Sequence, residues 1–98
     1  RDHPAAGRKP PEGLAILEPY VQSDYRNWWP LHYYLASAYR ALNYLDEALE
    51  GFHKVLELSP SHIDSIRQLS ELYAQKNDSE KAEKYRRKAE LLEIDRED

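Results

Sequence analysis

The chain has no cysteine and no methionine, only three glycines and one phenylalanine among 98 residues. Without cysteine there can be no disulfide, no zinc-thiolate centre and no thiol nucleophile, and the redox compartment is left open, with a reducing cytoplasm as the expectation. The three glycines are isolated from one another, which excludes a glycine-rich phosphate loop. No apolar run approaches the roughly 18 residues that span a bilayer, and no charged-then-apolar leader opens the chain, so a soluble protein with no membrane partner is expected. Basic residues are outnumbered: 14 Lys and Arg stand against 18 Asp and Glu, a formal net charge of -4. Binding to a nucleic-acid backbone needs clustered cations that release counterions, and the one cluster here, Lys84, Arg86, Arg87 and Lys88, is interleaved with Glu80, Glu83 and Glu90. No nucleic-acid partner is expected. A chain that starts at Arg1 and lacks methionine reads as a piece of a longer one.

What is present is a hydrophobic share of 41%, with eight Tyr and two Trp, beside a charged share of 33%. That is too apolar for a disordered segment and charged enough for helices with one wet face. The length suits one domain with a modest core. Residues 1–12 hold Pro4, Pro10, Pro11 and Gly7 without apolar periodicity and read as a flexible lead. Residues 13–28 form a flanking helical segment: Leu14, Leu17, Val21 and Tyr25 recur at helical spacing, with Pro19 kinking or restarting the helix. A second helix begins beside Pro30, carries Leu31, Leu35, Ala38, Tyr39 and Leu42, and stops at Asn43. A third opens at Asp46, lines up Ala48, Leu49, Phe52, Val55 and Leu56, and ends near Leu58 before Ser59 and Pro60. Gly51 costs that helix about 1 kcal/mol relative to Ala if it faces solvent. Ser61 with Asp64 reads as a capping pair for a fourth helix carrying Ile63, Ile66, Leu69, Leu72 and Tyr73 and closed by Asn77. Ser79 is the expected cap of a fifth, in which Ala82, Tyr85, Ala89, Leu92 and, at its end, Ile94 face inward while Glu80–Lys84 and Glu83–Arg87 pair outward. The tail from Asp95 should fray.

The four helices after residue 28 come as two pairs related by a shift of 34 residues. Leu35 and Leu69, Tyr39 and Tyr73, Asn43 and Asn77, Ala48 and Ala82, Lys54 and Lys88, and Leu58 and Leu92 are identical across it. The first pair reads His32-x2-Leu35-Ala36-x2-Tyr39, then Ala48-x3-Phe52, then Val55 and Pro60; the second reads Ile66-x2-Leu69-Ser70-x2-Tyr73, then Ala82-x3-Arg86, then Ala89. Small residues allow close helix approach, the aromatics fill the wedge between neighbours, and Asn tolerates a left-handed turn. This period and pattern resemble the tetratricopeptide repeat. The resemblance implies an all-α fold of about five helices, antiparallel helix-turn-helix units stacked as a short right-handed α-solenoid, with repeats at residues 29–62 and 63–96. Arg86 and Glu90, where the first repeat has Phe52 and Leu56, fit a polar capping helix at the end of the array.

Repeats of this family generally act as non-catalytic binding scaffolds, so the resemblance implies a protein or peptide partner lying in a concave groove lined by the first helix of each pair. The implied groove residues are Pro30, Tyr33, Ser37 and Arg40 with Asp64, Arg67, Glu71 and Gln75, and Tyr34 and Gln68 at the rim. Tyr33 and Ser37 stand where the carboxylate-clamp subfamily has Lys and Asn, so no clamp is expected. The segment from Tyr25 to Tyr34, with Trp28 and Trp29, is rich in the side chains that carry binding hot spots, although one Trp pinning the N-terminal helix would explain it as well. Self-association through the array end or the N-terminal helix is the alternative role, and an aromatic stacking platform for RNA or carbohydrate on Trp29, Tyr33 and Tyr34 is a third. Nothing suggests an enzyme, metal or cofactor: His3, His32, His53 and His62 have no helical pairing or carboxylate at ligand spacing, and Ser61-His62 is adjacency without an oxyanion site.

Overall fold

The computed structural model describes residues 17–21 and 23–96. The expected lead at 1–12 and the start of the flanking helix lie outside them. Among the described residues there are five α-helices and no strand: α1 (Glu18–Val21), α2 (Trp29–Ala41), α3 (Leu45–Leu58), α4 (Ile63–Gln75) and α5 (Ser79–Arg96), with a 3-10 turn at Asp24–Asn27 between the first two. The flanking segment is thus two short turns in its described part. Pro19 has no N–H to donate and is tolerated only in a first turn, and α1 begins one residue before it. Ser23 then breaks the helix, its hydroxyl donating to the Tyr20 carbonyl (2.9 Å) and accepting from the Tyr25 N–H (3.2 Å).

The two long pairs are antiparallel hairpins, α2 on α3 and α4 on α5, and α3 packs on α4 to join them. Each hairpin turns through an asparagine in the left-handed region, Asn43 at φ 66° and Asn77 at φ 64°. The accompanying hydrogen bonds repeat with the sequence: Tyr44 N–H to the Tyr39 carbonyl and Asn43 N–H to Arg40 in one pair, Asp78 N–H to Tyr73 and Asn77 N–H to Ala74 in the other. This is the Schellman arrangement, which satisfies the last carbonyls of the helix at the cost of one positive φ that Asn accepts. The helix starts differ from expectation. The α4 cap is His62, whose Nδ1 accepts from the Ser65 N–H (3.3 Å), not Ser61. The first turn of α5 is capped by Asp78, whose carboxylate accepts from the Lys81 N–H (3.2 Å), not by Ser79. In both cases the preceding turn places the polar residue immediately before the helix in the capping position.

The core runs through both pairs. Ala36, Ala48, Leu49, Phe52, Leu69 and Leu72 form one buried cluster, with Tyr33, Tyr39, Leu45, Leu56, Tyr73 and Tyr85 packed against it; Ile63, Ile66 and Ala89 form a second. Gly51 does not face open solvent: a Cβ there would lie 2.6 Å from the Ala36 Cβ, so α2 and α3 touch at this point because neither residue has a longer side chain. Ile94, expected to face inward at the end of α5, is exposed, and so is Leu42, which lies just past the end of α2 at Ala41. His32 is buried, and its Nε2–H donates to the Arg26 carbonyl (2.6 Å), tying the 3-10 turn onto α2.

Candidate functional site

The expected groove residues sit on α2 and α4, the first helix of each pair, and the structure divides them into three groups. Arg40 near the end of α2 reaches across to α4, where its guanidinium donates to Gln68 Oε1 and pairs with the Glu71 carboxylate at 2.9 Å. Gln68, expected at the rim, is therefore a partner of Arg40. A planar guanidinium with five donors can serve two acceptors one helical turn apart, which a lysine would not do as rigidly. The pair is partly shielded, with the Arg40 side chain 25% exposed and that of Glu71 61% exposed, so its free-energy contribution is of the modest surface kind.

The second group is aromatic. Tyr33 is half-buried, edge-on to Phe52 (5.6 Å) and His62 (5.1 Å), and Trp29 lies against His62 at 4.3 Å between ring centroids. Trp29 and Tyr33 therefore join the start of α2 to the start of α4, and packing accounts for both. Trp28 points the other way. It is 57% exposed and meets Tyr25 edge-on (6.3 Å), which in turn meets Tyr20 (5.5 Å). Tyr34 is 59% exposed on the same helix as Tyr33, and Ser37 is half-buried one turn further on.

Arg67 belongs to the third group. It pairs with Glu93 of α5 and, more loosely, with Asp64 one turn back (3.8 Å). Gln75 is exposed at the end of α4. Of the residues expected in or at the rim of the groove, then, the structure brings together Arg40, Gln68 and Glu71, and separately Asp64 and Arg67; Tyr33 is drawn into the packing. His62 and Glu93 were missed, His62 because a lone histidine in a turn gives no sequence signal, Glu93 because only the antiparallel return of α5 carries it to Arg67.

The far side of α5 is closed by charge. Shifting the α3 residues Leu49, Phe52 and Leu56, which seat α4, by one repeat gives Glu83, Arg86 and Glu90. Arg86 pairs with both Glu83 and Glu90, and Arg87 donates to Glu83 at 3.1 Å. Hydrogen bonds donated by Arg86 and Arg87 hold the Glu83 carboxyl below its ordinary range, and donating to that carboxylate raises Arg86 further. The helix also runs on to Arg96, through positions where the first repeat has its Ser59–Pro60 turn. Among the described residues no three His, Asp or Glu side chains converge as a metal site, and no helix is long and apolar enough to cross a membrane.

No curated protein matches the chain. Residues 29–62 match the family model of the tetratricopeptide repeat, the span of α2, α3 and the turn that follows them. Such repeats are in general non-catalytic modules of protein interaction. That segment, with its paired helices, its asparagine turn and its Ala36–Gly51 contact, is what the chain shares with the tetratricopeptide repeat.

Proposed function

We propose that α2 to α5 make two consecutive tetratricopeptide repeats, at 29–62 and 63–96, which bind a peptide or protein segment along the face shared by α2 and α4 and perform no chemistry. The observation that carries this reading is the Arg40–Gln68–Glu71 bridge, which fixes the two groove-lining helices in register. A binding face needs such a rigid frame, because ordering two helices at the moment of binding would subtract from affinity. Beside the bridge, Tyr34 offers an exposed aromatic ring and Ser37, Asp64 and Gln75 offer hydrogen-bonding groups. Aromatic rings of this kind supply much contact area with little side-chain entropy to lose.

The test is site-specific photo-crosslinking in the source cell lysate. A crosslinker at Ser37 or Gln75 should capture one discrete partner, and Tyr34→Ala should reduce that capture about tenfold, the order expected when an interface aromatic is truncated. The same crosslinker at Glu50 on α3 or Lys88 on α5 should not capture it. Capture at Glu50 or Lys88 alone would place binding on the other helices and overturn the proposal.

A further inference from the structure

The seam between the two helical pairs holds a second cluster, which the proposed binding face does not use. His53 stands on α3, in the first pair, and the rings it meets belong to the second. Its Nε2 shares a hydrogen bond with the Tyr73 hydroxyl of α4 (2.9 Å), and its ring lies edge-on to Tyr73 (6.0 Å) and to Tyr85 of α5 (5.9 Å). Those two tyrosines are stacked on each other, 5.7 Å apart and 8° from parallel. Two ammonium groups bracket the stack: Lys81 Nζ is 5.4 Å from the centre of the Tyr73 ring and Lys84 Nζ 5.4 Å from that of Tyr85. One carboxylate opposes them, Glu57 one turn along α3, while Asp78 is turned to Lys81 at 3.9 Å.

A neutral imidazole suits this position, since it can join the phenol hydroxyl in a hydrogen bond and lay its edge against the rings. A protonated one does not. It would add a third cation to Lys81 and Lys84 at a site half removed from water, with Glu57 alone in its favour. We propose that His53 is an acid-sensitive latch: neutral, it holds the second helical pair against the first, and protonated, it loosens that seam so that α4 and α5 open ahead of α2. Because α4 also carries Gln68 and Glu71, the same opening separates them from Arg40.

The direction follows from linkage. Burial first, then Lys81 and Lys84, hold the His53 pKa below its ordinary 6.5, so the unfolded or opened chain takes up a proton that the closed one refuses. Stability is therefore lost as pH falls below 6.5 and through the lowered value of the closed state, and no more is lost from this group beneath it. The Tyr73 hydroxyl stays protonated throughout, since burial and the neighbouring Tyr85 and Asp78 raise it.

The experiment combines an NMR titration of the His53 ring with native-state hydrogen exchange at pH 7.5 and 5.0, corrected for the intrinsic pH dependence of exchange, on the parent chain, His53→Gln and Lys81→Gln/Lys84→Gln. In the parent His53 should titrate below 6.5, and protection in α4 and α5 should fall between the two pH values while that in α2 holds; each unit of lowered pKa corresponds to about a tenfold fall. The Gln variant should lack that fall. The double lysine variant leaves the imidazole in place, so it decides the matter even if His53→Gln folds poorly, and it should move the His53 midpoint upward and flatten the acid loss. A His53 midpoint at or above 6.5, or an acid loss equal in parent and double lysine variant, or a loss spread equally over α2 and α5, would overturn the latch.

Discussion

Gly51 shows how a residue type that looks costly is required by its neighbour. Helix propensity alone favours Ala there by about 1 kcal/mol. In the fold its Cα faces Ala36, and an added Cβ would meet the Ala36 Cβ at 2.6 Å, a contact that neither short side chain can relieve by rotating. Gly51→Ala should therefore destabilise the chain by about 1–3 kcal/mol, the usual cost of overpacking, as read from its urea midpoint. An unchanged or raised midpoint would mean that α2 and α3 can separate freely. The helix caps illustrate the converse. Ser61 and His62 are adjacent, and cap preference favours Ser61; His62 caps instead, its ring set against Trp29 and Tyr33 with Nδ1 turned to Ser65. No local rule supplies those two contacts, which come from α2. Asn43 and Asn77, by contrast, were legible from the chain alone, because the left-handed turn is a demand of the backbone.

Among the elements, α3 and α5 occupy equivalent places and differ in one face. Leu49, Phe52 and Leu56 of α3 give α4 an apolar seat; Glu83, Arg86 and Glu90 of α5 meet one another in ion pairs and give no such seat. These pairs are exposed and add little to stability, so their effect is on what can dock. Replacing all three by the residues of α3, as Glu83→Leu, Arg86→Phe and Glu90→Leu together, should expose an unfilled seat. The variant should sediment as a larger species than the parent at the same concentration, and a sedimentation profile unchanged from the parent would refute this account of the face. The sequence showed Arg86 and Glu90 out of pattern and the Glu83–Arg87 pair at helical spacing, yet only the structure showed that Arg86 joins Glu83 as well. Element boundaries were read closely for α2, α3 and α4, whose ends carry Pro30, the Ser59–Pro60 stop and Asn77. The flanking segment had Pro19, read as a kink or restart, and among its described residues there is a one-turn helix from Glu18 and a 3-10 turn from Asp24.

At the scale of the molecule, Phe52 links the two pairs, since it lies in one cluster with Ala36 of α2 and with Leu69 and Leu72 of α4. Phe52→Ala should cost about 3–5 kcal/mol, a large part of the roughly 5–15 kcal/mol that holds a small domain folded. Both pairs should then melt together at a lower temperature in one circular-dichroism transition. Two separated transitions would show the pairs to be independent units. Repetition of chain pattern was sufficient to specify the helices, their pairing and the turns between them, because a 34-residue period in apolar, small and asparagine positions answers to local backbone and nearest-neighbour packing. The choice of which exposed side chains meet was not in the pattern. Arg40 finds Gln68 and Glu71, 28 and 31 residues on, and Trp29 is drawn inside while its neighbour Trp28 stays outside, because those outcomes depend on how one pair is rotated and translated against the next. Tertiary packing alone sets that rotation, and with it the shape of the face that the two pairs share.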